Sequence, residues 1–266
     1  MTTNHSETTG NAILFVKVLL GLTLFAVLVP FGSIGAAEPA GNPLPIPPIL
    51  EPEIRSDGSH LFRLSAAAGT KEFHPGVQTP TLGYNGSYLG PTIRASRGRK
   101  ITIRVENRLS ESSTAHWHGA HLPADADGGP HQEIGAGKTW DASFTVNQPA
   151  ATLWYHPHFM GSTARQVYEG LAGMFIIDDE FSGNLGLPDD YGNDDIPLIL
   201  QERRFDSSGR FGYNPRMPDL MHGYFGNTML VNGAVEPYKN VRIRGCSSSI
   251  TQRKQLHDSP HLVRRR

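Results

Sequence analysis

Between residues 54 and 180 the apolar positions come in short runs, separated by glycine, proline and polar clusters. The runs are Leu61 to Leu64, Thr92 to Ala95, Ile101 to Val105, Ser143 to Val146, Ala151 to Tyr155 and Gly173 to Ile177. A strand turns successive side chains to opposite faces, so runs of this length and alternation read as half-buried strands. Gly90-Pro91 and Arg97-Gly98-Arg99 supply turns between them. Short strands at this spacing predict an all-β sandwich of two antiparallel sheets. Gly161 to Glu169 is the one short helix the pattern predicts.

The flanks read differently. Residues 1–11 are polar, Ala12 to Gly35 is apolar apart from Lys17, and Gly35, Ala36 and Ala37 precede Glu38. Residues 1–37 are therefore expected to be an export signal cleaved before Glu38, with an uncleaved membrane anchor as the alternative. Residues 38–53 form a linker in which Pro39, Pro43, Pro45, Pro47, Pro48 and Pro52 favour extended backbone. Residues 54–180 make the first domain. The loop-like stretch after Phe181 marks a boundary, and strands are expected again at Ile196 to Gln201, Met229 to Asn232 and Val241 to Arg244.

Composition narrows the partners. Among 266 residues, 24 Lys and Arg nearly balance 25 Asp and Glu, so no basic face for nucleic acid is expected. Cys246 is the only cysteine, which excludes an intrachain disulfide.

The chemistry concentrates in one stretch. Six of the twelve histidines lie between His116 and His158, in His116-Trp117-His118-Gly119, the loop after it, and Trp154-Tyr155-His156-Pro157-His158. Residues two apart on a strand share a face at about 6.6 Å, and neighbouring strands lie about 4.8 Å apart. If the two strands are neighbours, four imidazoles meet in one patch, large enough for more than one metal ion at a spacing of about 3.5–4 Å. Packed without metal, they would leave acceptor nitrogens unpartnered and repel one another when protonated. All-imidazole ligation suits copper, zinc, iron or nickel and excludes calcium and magnesium. His116, His118 and His121 also spell the H-x-H-x-x-H of metallo-β-lactamases. That motif has Asp before its third His, where Ala120 stands here, so a zinc-dependent hydrolase is the lesser reading.

The segments HWHGAHLPADADGGPHQEIGAGKTW and QPAATLWYHPHFMGSTARQVYEGLAGMFIIDD resemble the first cupredoxin domain of the multicopper oxidases, in the bacterial laccase-like and cuprous-oxidase branch. LGPTIRASRGRKITIRVENRL upstream, with DIPLILQERRFD and GNTMLVNGAVEPY downstream, fits the same family. The resemblance implies a cupredoxin-like Greek-key sandwich over 54–180, followed over 181–244 by the incomplete start of a second cupredoxin domain. It implies copper as cofactor, with His116 on the type 2 copper of a trinuclear cluster and His118, His156 and His158 on the type 3 pair. Asp127 matches an acidic residue that helps supply protons during dioxygen reduction, with a turn aspartate before two glycines as the equal alternative. Trp117 and Trp154 are expected to pack against the histidines, and His121 and His131 to be solvated. His60, His74, His222, His257 and His261 receive no role.

The reaction implied is oxidation of a small-molecule or metal-ion donor coupled to reduction of dioxygen to water. Such enzymes collect electrons at a type 1 copper held by Cys and His in a later domain, and Cys246 has no neighbouring His. The chain alone is therefore expected to be inactive, and a non-catalytic copper-binding fragment is the alternative. The protein is expected to be exported to the periplasm or beyond, touching a membrane only through an uncleaved N-terminal segment. Residues 245–266 lack strand period and core residues. Gly245-Cys246-Ser247 is what Arg-Leu-Leu codons give when read one base out, so this basic tail is read as a frameshift product, with a native tail as the alternative.

Overall fold

The strands found between residues 53 and 178 are β1 (Glu53–Ile54), β2 (His60–His74), β3 (Val77–Tyr84), β4 (Ile93–Ser96), β5 (Lys100–Asn107), β6 (His116–His118), β7 (Thr139–Thr145), β8 (Ala151–His156) and β9 (Gly173–Asp178). This computed structural model describes residues 41–243 and 246–250. The expected export signal at 1–37 and the end of the tail lie outside the described residues. One sheet runs β1-β2-β5-β7 with β3 on β2, and the other runs β4-β9-β8-β6.

The alternation seen in the sequence is what closes the two sheets on each other. Phe62, Leu64 and Ala66 on β2, Ile101, Ile103 and Val105 on β5, and Ala142 and Phe144 on β7 point inward. Ile93 and Ala95 on β4 and Phe175 and Ile177 on β9 meet them from the opposite sheet. A one-residue slip would turn each of these sets to solvent, so the core fixes the register.

Two expectations about the sandwich need correcting. The sheets are not wholly antiparallel, because β2 pairs with β5 and β4 with β9 in parallel. After the β2–β3 hairpin the chain crosses to the other sheet through β4 and re-enters the first sheet beside β2. That crossover is what a parallel pair requires. The second correction concerns length. β2 runs fifteen residues, its first half on β5 and its second half, from Ala66, on β3. The Ala66-Ala67-Ala68-Gly69 run has low strand propensity, and pairing with β3 overrides it.

A short helix, α1 (Thr163–Glu169), falls within the predicted one. Beyond the sandwich lie β10 (Leu200–Arg203), α2 (Met217–His222), β11 (Thr228–Val231), β12 (Ala234–Val235), β13 (Lys239–Ile243) and β14 (Cys246–Ile250). β10 begins at Leu200 rather than Ile196. Pro197 has no N–H to give a ladder, and the Ile199 N–H donates to the Asn232 side chain at 2.7 Å. α2 was not foreseen. Its signals are Pro218 in the first turn and Asp219, whose carboxylate accepts the Arg216 N–H at 2.8 Å. The expectation of no strand after residue 244 is corrected at Cys246–Ile250, which pairs antiparallel with β13. A ladder is made by main-chain groups and needs no apolar period.

β10, β11 and β12 form a three-stranded sheet. It joins the sandwich through a second small core of Phe73, Phe205 and Leu230, with Tyr88, Phe211 and Val235 packed around it. The proline-rich segment is tied down too: Pro45 O accepts from Asn232 at 2.6 Å and Pro47 O from the Tyr191 hydroxyl at 2.9 Å. Among the described residues, no helix is long and apolar enough to cross a membrane.

Candidate metal centre

β6 and β8 are antiparallel neighbours, with His116 opposite His156, Trp117 opposite Tyr155 and His118 opposite Trp154. Strand alternation then sorts the six side chains of these pairs by face. Trp117 and Tyr155 turn into the core, both fully buried. His116, His118, His156 and Trp154 turn to the other side. Pro157 ends β8, and His158 continues beyond it off the sheet, with its N–H donating to Thr114 Oγ1 at 2.6 Å.

The four imidazoles come together. Ring centroids of His116 lie 5.6 Å from His118, 5.5 Å from His156 and 5.3 Å from His158. Potential ligand atoms of His116, His118 and His156 all lie within 4.8 Å of one another. His158 stands outside that tight group, with its ring against that of His116. His121 does not join the group: it is exposed, and its backbone N–H is held by Gln148 at 2.6 Å. The H-x-H-x-x-H reading therefore loses its third ligand. His131 is exposed as well.

Hydrogen bonds set the tautomers. His116 Nδ1 donates to the Asp127 backbone carbonyl at 2.9 Å, and His156 Nδ1 donates to the Pro157 carbonyl at 2.7 Å. Each leaves Nε2 unprotonated and able to ligate a metal, the arrangement that outer hydrogen bonds impose on ligating histidines. His118 Nδ1 lies 3.0 Å from His156 Nε2. Burial holds the His156 imidazole down to about 4, and the neighbouring histidines push the same way. It is neutral at ordinary pH. Clustered imidazoles with no carboxylate inside the group are a donor set that fits copper.

The Asp127 carboxylate stands 3.4 Å from His116 Nδ1, at the edge of the patch. The loop that carries it lies directly on the chain leading into β6. Trp117 Nε1 donates to the Ala126 carbonyl at 3.0 Å. A Cβ at Gly128, whose φ is +72°, would sit 1.7 Å from the Ala115 carbonyl oxygen. Only glycine allows that approach.

Trp154 packs against the histidines as expected, 4.0 Å from the His156 ring and 5.2 Å from His118. Trp117 does not. It lies parallel to Trp140 at 6.5 Å and packs on Tyr155 and Phe175 in the core. Thr114 is a contributor that sequence reasoning missed, since nothing local marks a buried threonine as the holder of a residue 44 positions on. An open pocket of about 340 Å³ lies beside His156 and Trp154, lined also by Tyr168, Glu202, Arg203 and Tyr224.

The fold and the imidazole patch define an all-β, cupredoxin-like metalloprotein. Residues 65–182 match the family described as multicopper oxidase. The Staphylococcus aureus multicopper oxidase mco is 42% identical over 196 residues, covering 74% of this chain and 43% of that protein. The cell division protein FtsP of Escherichia coli (strain K12) is 38% identical over 241 residues, covering 89% of this chain and 49% of FtsP. Among solved structures, the laccase-like multicopper oxidase CueO from Ochrobactrum sp. aligns with a TM-score of 0.68 at 44% identity, covering 73% of this chain and 43% of its own. A multicopper oxidase from Pediococcus acidilactici aligns with a TM-score of 0.71 at 37% identity, covering 80% and 46%. The chain thus spans a little under half the length of these relatives. It belongs to the multicopper oxidase family, and copper is the cofactor this membership implies.

Proposed function

We propose that the chain is the N-terminal part of a multicopper oxidase, in which His116, His118, His156 and His158 are copper ligands. The observation that carries this reading is the β6/β8 register, which turns His116, His118 and His156 to one face, with the His158 ring following against that of His116. Copper, when bound, supplies one-electron redox chemistry toward a donor and dioxygen. The chain's own residues bind and orient. The Asp127 carbonyl fixes the His116 tautomer, Pro157 fixes that of His156, and Thr114 holds His158 beside His116. The Asp127 carboxylate, 3.4 Å from His116 Nδ1, would supply protons at the rim of the site, unless it serves only as a turn aspartate before two glycines. The electron donor is a small molecule or metal ion, and residues 1–37 direct export.

On this reading the chain by itself does not turn over, since its one cysteine has no neighbouring His with which to build an electron-collecting copper site. A second reading is a copper-binding protein without oxidase activity. A relative matched over 89% of this chain, FtsP, is named a cell division protein and not an oxidase, which leaves this reading open beside the first. Oxygen uptake with excess donor, on copper-loaded protein, tests the first point. Uptake no greater than that of a His116→Ala, His118→Ala chain is expected, and sustained uptake abolished by the double substitution would overturn it.

A further inference from the structure

Trp154 is a large aromatic residue on the outer face of β8, 39% exposed and outside both hydrophobic cores. Core packing gives no reason for it to be there. Its neighbours do. Its ring is stacked on His156 at 4.0 Å and 27°, and on His118 at 5.2 Å and 28°. One indole thus lies nearly parallel to two imidazoles from two different strands.

The two rings need holding. The terminal torsion of a histidine is broad, so its rotamer does not fix the ring plane. His156 has one anchor in the Pro157 carbonyl. Among the described residues, His118 has no hydrogen-bond partner for its ring other than His156 itself. Of the rings around His118, His116 meets it edge-on and His156 at a tilt, and Trp154 alone is stacked on it to set its plane.

We infer that Trp154 is a positioning residue: it clamps the His118 and His156 rings so that His118 Nδ1 and His156 Nε2 face each other before metal arrives. The inference rests on the copper-site reading above and deepens it. Offset-stacked aromatic rings attract beyond the area they bury, and ordering the ligands beforehand spares the entropy of ordering them on binding. Trp154→Leu keeps apolar bulk and removes the π face, whereas Trp154→Phe keeps a smaller plate.

Two measurements on the full chain test this. The first is Cu(II) affinity by competition with a chromophoric chelator. The Leu variant is expected to bind roughly ten-fold more weakly, as loss of a residue that orients ligands does, and the Phe variant to recover most of that loss. The second is made on the metal-free chain: the ring-proton resonances of His118 and His156 are expected to move downfield in the Leu variant as the indole ring current is lost. A melting temperature close to that of the unaltered chain in both variants separates positioning from folding. Unchanged affinity in the Leu variant, or unmoved ring protons, would overturn the clamp. Ring protons that move in a chain that binds no Cu(II) even when unaltered would instead count against the copper site and leave the clamp standing.

Discussion

Trp117 and Tyr155 face each other across the β6/β8 ladder, buried to the same degree, with ring centroids 6.0 Å apart. The same register turns His116 and His156, one residue away on each strand, to the opposite face. The core aromatics and the proposed copper ligands are therefore set by one pairing. Shifting either strand by one residue would exchange them, so site geometry and stability are coupled in this part of the fold.

Tyr155→Phe is the milder test of that coupling. The Tyr155 hydroxyl donates to the Pro91 carbonyl at 2.7 Å, and its ring lies so close to Gly173 that a Cβ there would come within 2.3 Å of it. Removing the hydroxyl leaves a buried acceptor unpaired, at a cost of about 1–3 kcal/mol. The ring stays, so Cu(II) affinity is expected to hold while the midpoint of urea unfolding falls.

Gly128→Ala is the harsher one. The new methyl would collide with the Ala115 carbonyl at a left-handed backbone position, forcing the Asp127 loop off β6. Both thermal stability and copper affinity are expected to drop, because the carbonyl that fixes His116 moves with the loop. A stable variant binding copper normally would show that the loop does not orient His116.

The pH dependence of the metal-free chain follows from His156. Its folded value, about 4, lies below the ordinary 6.5, so between these values the unfolded chain binds more protons than the folded one. This contribution to stability is complete above 6.5 and is lost as pH falls toward 4. Denaturant melts across that window are expected to show stability rising with pH, with a shallower rise in His156→Gln.

The sandwich was legible because its inner faces alternate strictly, as on β5 and β7, and the site was legible because two His-x-His pairs carry that period in themselves. What escaped was whatever depends on distant partners. The far half of β2 is a strand because β3 lies against it, and its alanines do not announce it. Trp117 was placed with the histidines on sequence adjacency, yet one residue along a strand means the opposite face. Thr114 reaches His158 only through the closing of the fold, and Arg216 with Asp219 starts a helix too short for its apolar spacing to register.

Copper stoichiometry of the purified full chain, compared with that of the His116→Ala, His118→Ala chain, tests the central claim most directly. The account predicts that the unaltered chain retains Cu(II) through gel filtration at neutral pH and that the double substitution abolishes retention without lowering the melting temperature of the metal-free protein. Equal copper in both chains, or none in either after loading, would contradict it.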